Sequence, residues 1–548
     1  MPQNNNFPKV IKNKKLTNYT ADTTFYTSFA PMTVRQSMCK IFTIPFFAWL
    51  LSSCQSATEI TETDNIDTLS VGYTLSQQYC GNCHQYPEPD LLPKSTWQDY
   101  VLPRMGYRLG IYEHDSIRQS LLEAGLGGVR VDQAGIYPTQ PIINQDQWQA
   151  IQDYYLDQAP DSLSFTKTEI SIGLANFQVQ IPSYRLSPPS TTMVKIHRQQ
   201  LLVGDANSKS FYQFDADLHL KRVARTGEGA VHTEISTEQF LITVMGSFSP
   251  TDNPQGKVMT LPRTDAGAPF VLLDSLQRPV QTTVADLDKN GLPDLITCEF
   301  GKWLGGLFYY QQQPDGSFRR ITLRQQPGAI AAYVRDINQD DKPDVLALFG
   351  QGDEGIFSYI NQGEGKFQEK TILRFPPSYG SSSMLLMDVD EDGDEDIVYT
   401  AGDNADYPPV LKPYHGIYFF ANDGNYQFEQ SWFYPLPGAY RALPADYDQD
   451  GDLDVAAISF FPGYQSAPEA GFIYLQNQGN MNFTVHTFAE STYGRWLVAD
   501  TGDLDDDGDL DIVLGSLAFE VVPPNGLLNE WVDRGIPFVV LKNQVMAN

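Results

Sequence analysis

A nine-residue acidic loop occurs five times in the second half of the chain, and this repetition limits the available folds more than any other feature. The copies are 286–294 (DLDKNGLPD), 336–344 (DINQDDKPD), 388–396 (DVDEDGDED), 446–454 (DYDQDGDLD) and 503–511 (DLDDDGDLD), with starts 50, 52, 58 and 57 residues apart. Regular self-similarity at this period implies a unit that buries its apolar face only against its neighbours, as in solenoids and rings of sheets.

The loop has the chemistry of a hard-cation site. Oxygen ligands at positions 1, 3 and 5 can wrap Ca²⁺, a glycine at 6 allows the sharp turn, and a backbone carbonyl can add a further oxygen. The ligand candidates are Asp286, Asp288, Asn290 and Asp294; Asp336, Asn338, Asp340 and Asp344; Asp388, Asp390, Asp392 and Asp396; Asp446, Asp448, Asp450 and Asp454; and Asp503, Asp505, Asp507 and Asp511. Up to five Ca²⁺ ions are therefore expected. An EF-hand would need Glu at position 12. Those positions hold Thr297, Ala347, Tyr399, Ala457 and Leu514, and strand-like runs follow each loop. The second copy departs from the pattern because Asp341 stands where the others have glycine.

Seven strand-like runs recur along 168–548: LLVGDA at 201, FLITVMG at 240, DLITCEFG at 294, DVLALFGQG at 344, DIVYTAGD at 396, DVAAISFF at 454 and DIVLGSLA at 511. About 54 residues per unit suffices for four strands and their turns, and radial repetition of such sheets hides their edges. The expected fold is an all-β propeller of seven blades, with six or eight also compatible. Asn361, Asn422 and Asn477 each begin an Asn-x-Gly turn six residues before Phe367, Phe428 and Phe483, and 314–318 is a variant. These read as hairpin turns followed by a core-facing Phe. The last strand, 537–543, either completes a blade begun near residue 168 or finishes the seventh.

A different chemistry precedes the repeats. Cys80-Gly81-Asn82-Cys83-His84 is a CxxCH motif, in which two thiols one turn apart can form thioethers to a haem and the adjacent His can ligate its iron. Zinc would call for a second ligand pair nearby. Between 71 and 160 the sixth-ligand candidates are Met105 and His114, with Met105 preferred and an open position as the third option. Residues 97–105 read as a short helix capped by Lys94-Ser95-Thr96 and ending near Pro103. A second helix, 148–156, follows Asn144, with Trp148, Ile151, Tyr154 and Tyr155 at helical spacing. That pattern resembles the C-terminal helix of class I cytochromes c. Together these features predict a small all-α, cytochrome c-like haem c domain over 71–158, with a linker at 159–167.

Residues 41–51 are almost wholly apolar, follow Arg35 and Lys40, and lead into Leu51-Ser52-Ser53-Cys54. Such a segment reads as an export signal. Small residues before Cys54 resemble the bacterial lipoprotein signal, which implies a lipid on Cys54 and membrane attachment, facing the periplasm or at the cell surface. We read 1–53 as the signal segment with an N-terminal extension, and 54–70 as a polar tether. Of the five cysteines only Cys298 has no specific assignment, and it reads as a buried free thiol. The net charge of -30 argues against a nucleic-acid partner.

The loops and Asn-x-Gly turns resemble FG-GAP/VCBS repeats, known from integrin α-subunit propellers and bacterial surface proteins. The chain as a whole resembles haem-bearing VCBS-repeat lipoproteins of environmental bacteria, on Cys80–His84, 97–105, Lys412–Gly416 and Gly494–Trp496. That likeness implies redox and calcium chemistry without an assigned substrate. Three functions follow as expectations. The first is an electron-transfer lipoprotein whose propeller binds a redox partner or ligand. The second is a propeller dehydrogenase that passes electrons to its own haem, with Arg441, Arg495, His415 and Lys412 as candidate polar groups near the loop-side face. The third is a calcium-dependent module that binds a glycan or surface ligand, with the haem as an accessory.

Overall fold

The computed structural model describes residues 68–165, 169–264, 267–405, 409–521, 523 and 526–546. The signal segment, Cys54 and most of the tether lie outside the described residues. Among the described residues no helix is long and apolar enough to cross a membrane.

Seven sheets form a seven-bladed β-propeller. Blades 1 to 6 occupy 191–225, 230–276, 279–324, 329–374, 381–435 and 439–487, and each strand pairs antiparallel with the next in the chain. Blade 7 combines three late strands, Trp496–Gly502, Asp511–Ser516 and Phe538–Asn543, with an early one, Phe177–Gln180. Phe177 pairs with Asn543 and Gln180 with Val540, so the two ends of the propeller are stitched in one sheet. The strand near residue 168 and the last strand thus belong to the same blade. A further short strand, Ser171–Ile172, adds in parallel to the outer edge of blade 6.

The burial pattern explains why the second strand of each blade is the most apolar. In blades 3 to 7 all six of its residues are buried, because both faces pack against neighbouring sheets. Outer strands such as Phe318–Arg324 alternate and meet solvent on one face. The core therefore lies between blades. Ile296 and Tyr309 of blade 3 share a cluster with Val345, Ala347 and Phe357 of blade 4. Full burial of a side chain of Ile or Phe size contributes about 2 kcal/mol. Cys298 lies in this cluster as a free, fully buried thiol.

The helical segment precedes the propeller. It comprises Thr68–Cys80, Lys94–Thr96, Trp97–Val101, Leu102–Arg108, Asp115–Leu121, Leu126–Gln133 and Gln145–Gln158. The helix expected to stop near Pro103 continues to Arg108. The helix is continuous from Lys94 to Arg108, and the π turn at Trp97–Val101, just before Pro103, accommodates the proline ring and its missing N–H. The expected side-chain cap at 94–96 does not form: Pro93 occupies the N-cap position. At Asn144 the cap does form, as a reciprocal box with Gln147. Trp148, Ile151 and Tyr155 face inward from the helix it opens.

These helices sit over one mouth of the propeller, at the end opposite the acidic loops. Glu123 accepts hydrogen bonds from Thr251 Oγ1 at 2.9 Å and Asp252 N at 2.7 Å in blade 2. Arg108 lies 4.1 Å over the Trp303 ring of blade 3, with Tyr137 edge-on to the same ring. Tyr414 of blade 5 donates to Leu91 O at 2.8 Å. Gly127 allows the closest approach, since a Cβ there would stand 2.7 Å from Asn253 N.

Candidate functional site

Three features of this architecture bear on chemistry: a cleft beneath the helices, the channel it opens into, and the ring of acidic loops at the far end.

Cys80 closes the first helix and is half-buried. Cys83 is exposed, and neither is in a disulfide. Burial pushes the Cys80 thiol up to about 11. His84 is half-buried, and burial lowers its pKa, which favours the neutral ring. Its Nδ1 lies 2.9 Å from Gln85 O, an arrangement that fixes Nδ1 as the protonated nitrogen and leaves Nε2 with a free lone pair. Met105 is half-buried and lines the same cavity as Cys80, Cys83 and His84. His114 is exposed at the start of the Asp115–Leu121 helix and does not line it. The walls include Leu92, Trp97, Val101, Leu102 and Leu109. Two free thiols, an imidazole with one ring nitrogen held and a thioether on a single apolar cavity form a donor set that fits a covalently attached haem.

The cavity has a volume of about 2250 Å³ and runs on from the helices into the propeller's central channel. The channel is lined by the inner strands. At their equivalent third positions stand Met193, His232, Gln281, Ala331, Ser383, Arg441 and Val498, each just past a register shift in its strand. Two residues further on, blades 1, 2 and 7 bring Lys195, Glu234 and Asp500 to the next level. Lys195 Nζ is 3.1 Å from Asp500 Oδ1. Burial raises the Glu234 carboxyl to about 7, opposed by the charge of Lys195. Burial, with Lys195 and Arg441 adding to it, lowers His232 to about 4. The one local signal for this site in the sequence is the alternation of His232 and Glu234 on one strand.

Of the four polar groups singled out from the sequence, only Arg441 lines the channel directly. Lys412, His415 and Arg495 are buried at the end opposite the acidic loops, not beside those loops. Lys412 Nζ donates to Ser378 O at 3.0 Å. His415 is buried at the start of the third strand of blade 5, and desolvation holds its ring neutral. Arg495 donates to Phe460 O and lies 3.6 Å over the Phe460 ring. These three hold loops together.

The acidic loops join inner to second strands. The position 1 carboxylate accepts the N–H of position 6 in all five, for instance Gly291 N to Asp286 Oδ2 at 2.8 Å. Position 4 is left-handed throughout, at Lys289, Gln339, Glu391, Gln449 and Asp506, and so is position 6. Asp341 adopts φ 64° where the other loops place glycine. In four loops three carboxylates come within 4.8 Å of one another: Asp286, Asp288 and Asp294; Asp388, Asp390 and Asp396; Asp446, Asp448 and Asp450; Asp503, Asp505 and Asp507. In the 336–344 loop Lys342 Nζ pairs with Asp340 at 2.9 Å. In the last loop Lys542 contacts Asp505.

The closing Asp has a role that spacing alone does not reveal. Asp294 accepts from Leu287 N at 3.0 Å and Gln312 N at 2.8 Å, and Asp511 from Leu504 N and Asn543 N. Asp344 and Asp396 repeat the pattern. It clamps the loop to the third strand. The Asn-x-Gly asparagine adds a second clamp. Asn361 Nδ2 donates to Pro343 O in its own blade and to Leu287 O in the loop of blade 3. Asn543 does the same between blades 7 and 6, through Leu510 O and Tyr447 O. The recurrence of Asn was legible in the sequence; its reach into the preceding blade was not.

Residues 336–399 match the FG-GAP-like repeat. The match starts at the acidic loop of blade 4 and ends in the second strand of blade 5, so the sequence repeat is offset from the blade. A comparison with curated proteins gave no match. Among solved structures, Saccharomyces cerevisiae Sqt1 aligns at 9% identity and TM-score 0.41, covering 68% of this chain and 99% of that one. Virginiamycin B lyase from Staphylococcus aureus aligns at 11% identity and TM-score 0.41, covering 67% and 98%.

Proposed function

We propose that the chain is an exported electron-transfer protein: a haem c bound by the helical segment, on a calcium-stiffened propeller that binds a partner or ligand. The observation that carries this reading is that Cys80, Cys83, His84 and Met105 all line the cavity beneath the helices. Cys80 and Cys83 would hold the haem by thioethers, and His84 Nε2 and Met105 would ligate its iron. The bound haem would supply reversible one-electron chemistry. Around it, Trp97, Leu102 and Tyr155 exclude water, and Gln85 O orients the His84 ring. The carboxylates of the acidic loops would share up to five Ca²⁺ ions, which relieves like-charge crowding and locks each loop. Cys54 would carry the lipid that keeps the protein at the membrane.

The continuity of the cleft with the channel favours a second reading, a propeller that oxidises a substrate and hands the electrons to the haem. Haem staining after denaturing electrophoresis, with Cys80→Ala/Cys83→Ala as the control, tests the covalent attachment. Staining retained in the double variant, or absent from protein matured with haem, refutes it. Reduction of the haem by added substrate separates the two readings.

A further inference from the structure

Most polar groups facing the channel are accounted for. Gln281 donates to Ala332 O and accepts from Ala332 N. Ser383 bonds Thr400 Oγ1 at 2.7 Å. Lys195 and Asp500 neutralise each other. His232 Nδ1 and Arg441 Nε are different: both atoms are buried, and neither has a hydrogen-bond partner among the described residues. Leaving a buried donor unmatched costs about 1–3 kcal/mol, more for a charged group. Both side chains, with Glu234 one level below, line the same cavity.

The arrangement has chemical direction. A guanidinium offers a planar fork that matches a carboxylate. Across the channel, His232 and Glu234 offer an imidazole and a carboxyl, which suit a hydroxyl that both donates and accepts. At the next level Lys195 and Asp500 offset each other and Glu234, whose carboxyl burial keeps protonated up to about pH 7, adds little charge, so Arg441 supplies the net attraction. We propose that the channel site formed by Arg441, His232 and Glu234 binds a small hydroxylated carboxylate, its carboxylate on Arg441 and its hydroxyl on His232 and Glu234. The site stands independently of the haem, because its ligands all come from inner strands of the propeller.

Isothermal titration of the purified full-length protein with glycerate tests this, with glycerol and propionate as probes lacking the carboxylate and the hydroxyl. Glycerate is expected to bind more tightly than either, and Arg441→Met to weaken it at least tenfold with an unchanged circular dichroism spectrum. His232→Leu should narrow the preference for glycerate over propionate, which decides the matter even if the Arg441 variant fails to fold. Equal affinity for glycerol and glycerate, no binding of glycerate, or a preference untouched by His232→Leu would overturn the proposal. Haem absorbance, read on the same samples, reports separately on the electron-transfer function.

Discussion

Replacing Asn361 by Ala probes how the propeller is held together. Asn361 is 3% exposed, and its amide donates to Leu287 O at 2.9 Å and Pro343 O at 3.0 Å while its oxygen accepts Gly363 N at 2.9 Å. Each bond contributes about 1 kcal/mol net, and the carbonyls left behind lose their partner in a site closed to water. The expected loss is about 3–4 kcal/mol. Asn422 provides an internal comparison, since it donates to Glu395 O and accepts from Tyr426 N, bonds confined to its own blade. Asn422→Ala should cost about 2 kcal/mol. Equilibrium urea unfolding followed by tryptophan fluorescence measures both, with an unchanged slope expected because the exposed surface hardly differs. A loss below 1 kcal/mol for Asn361→Ala, or equal losses for the two variants, would refute the idea that this asparagine ties one blade to the loop of the next.

Other outcomes follow from the same structure. Removing calcium with a chelator should lower the melting temperature, most steeply at low salt where carboxylate repulsion is least screened; an unchanged melting curve after metal analysis confirms removal would count against structural calcium. Asp341→Gly should stabilise the protein by about 1 kcal/mol, because the left-handed backbone there strains any side chain; calorimetry showing destabilisation would contradict this. Burial raises the Glu234 carboxyl from 4.5 to about 7, so the folded chain keeps a proton that the unfolded chain releases between those values. Its contribution is fully present below about pH 4.5 and falls by up to about 3 kcal/mol as the pH rises through 7. Glu234→Gln should flatten that part of the stability profile in urea titrations at fixed ionic strength.

The parts of the fold that were legible in the sequence are those set by local chemistry. Buried second strands are written as apolar runs, so Asp294–Glu299, its four counterparts and the runs at 201 and 240 announce themselves, and counting all seven leads to seven blades. The acidic loops are equally local, since ligand spacing and the glycine at position 6 lie within nine residues. What escaped was set by distance. Asp294 looks like a ligand in the sequence, and only the pairing of strands within the blade puts its oxygens against Gln312 N. Arg441 and His232 lie more than two hundred residues apart, and nothing local marks them as facing one channel. The helix runs through Pro103 because a π turn, with no sequence signature of its own, makes room for the proline inside it.

The closure of blade 7 also imposes an order on assembly. Strand Phe177–Gln180 is made about 360 residues before its partner Phe538–Asn543. The helical segment can therefore collapse while the ring is still an open arc. Deleting Phe538–Asn543 would strip one interior strand and orphan Phe177–Gln180, so the loss of six residues should unlatch the whole circle.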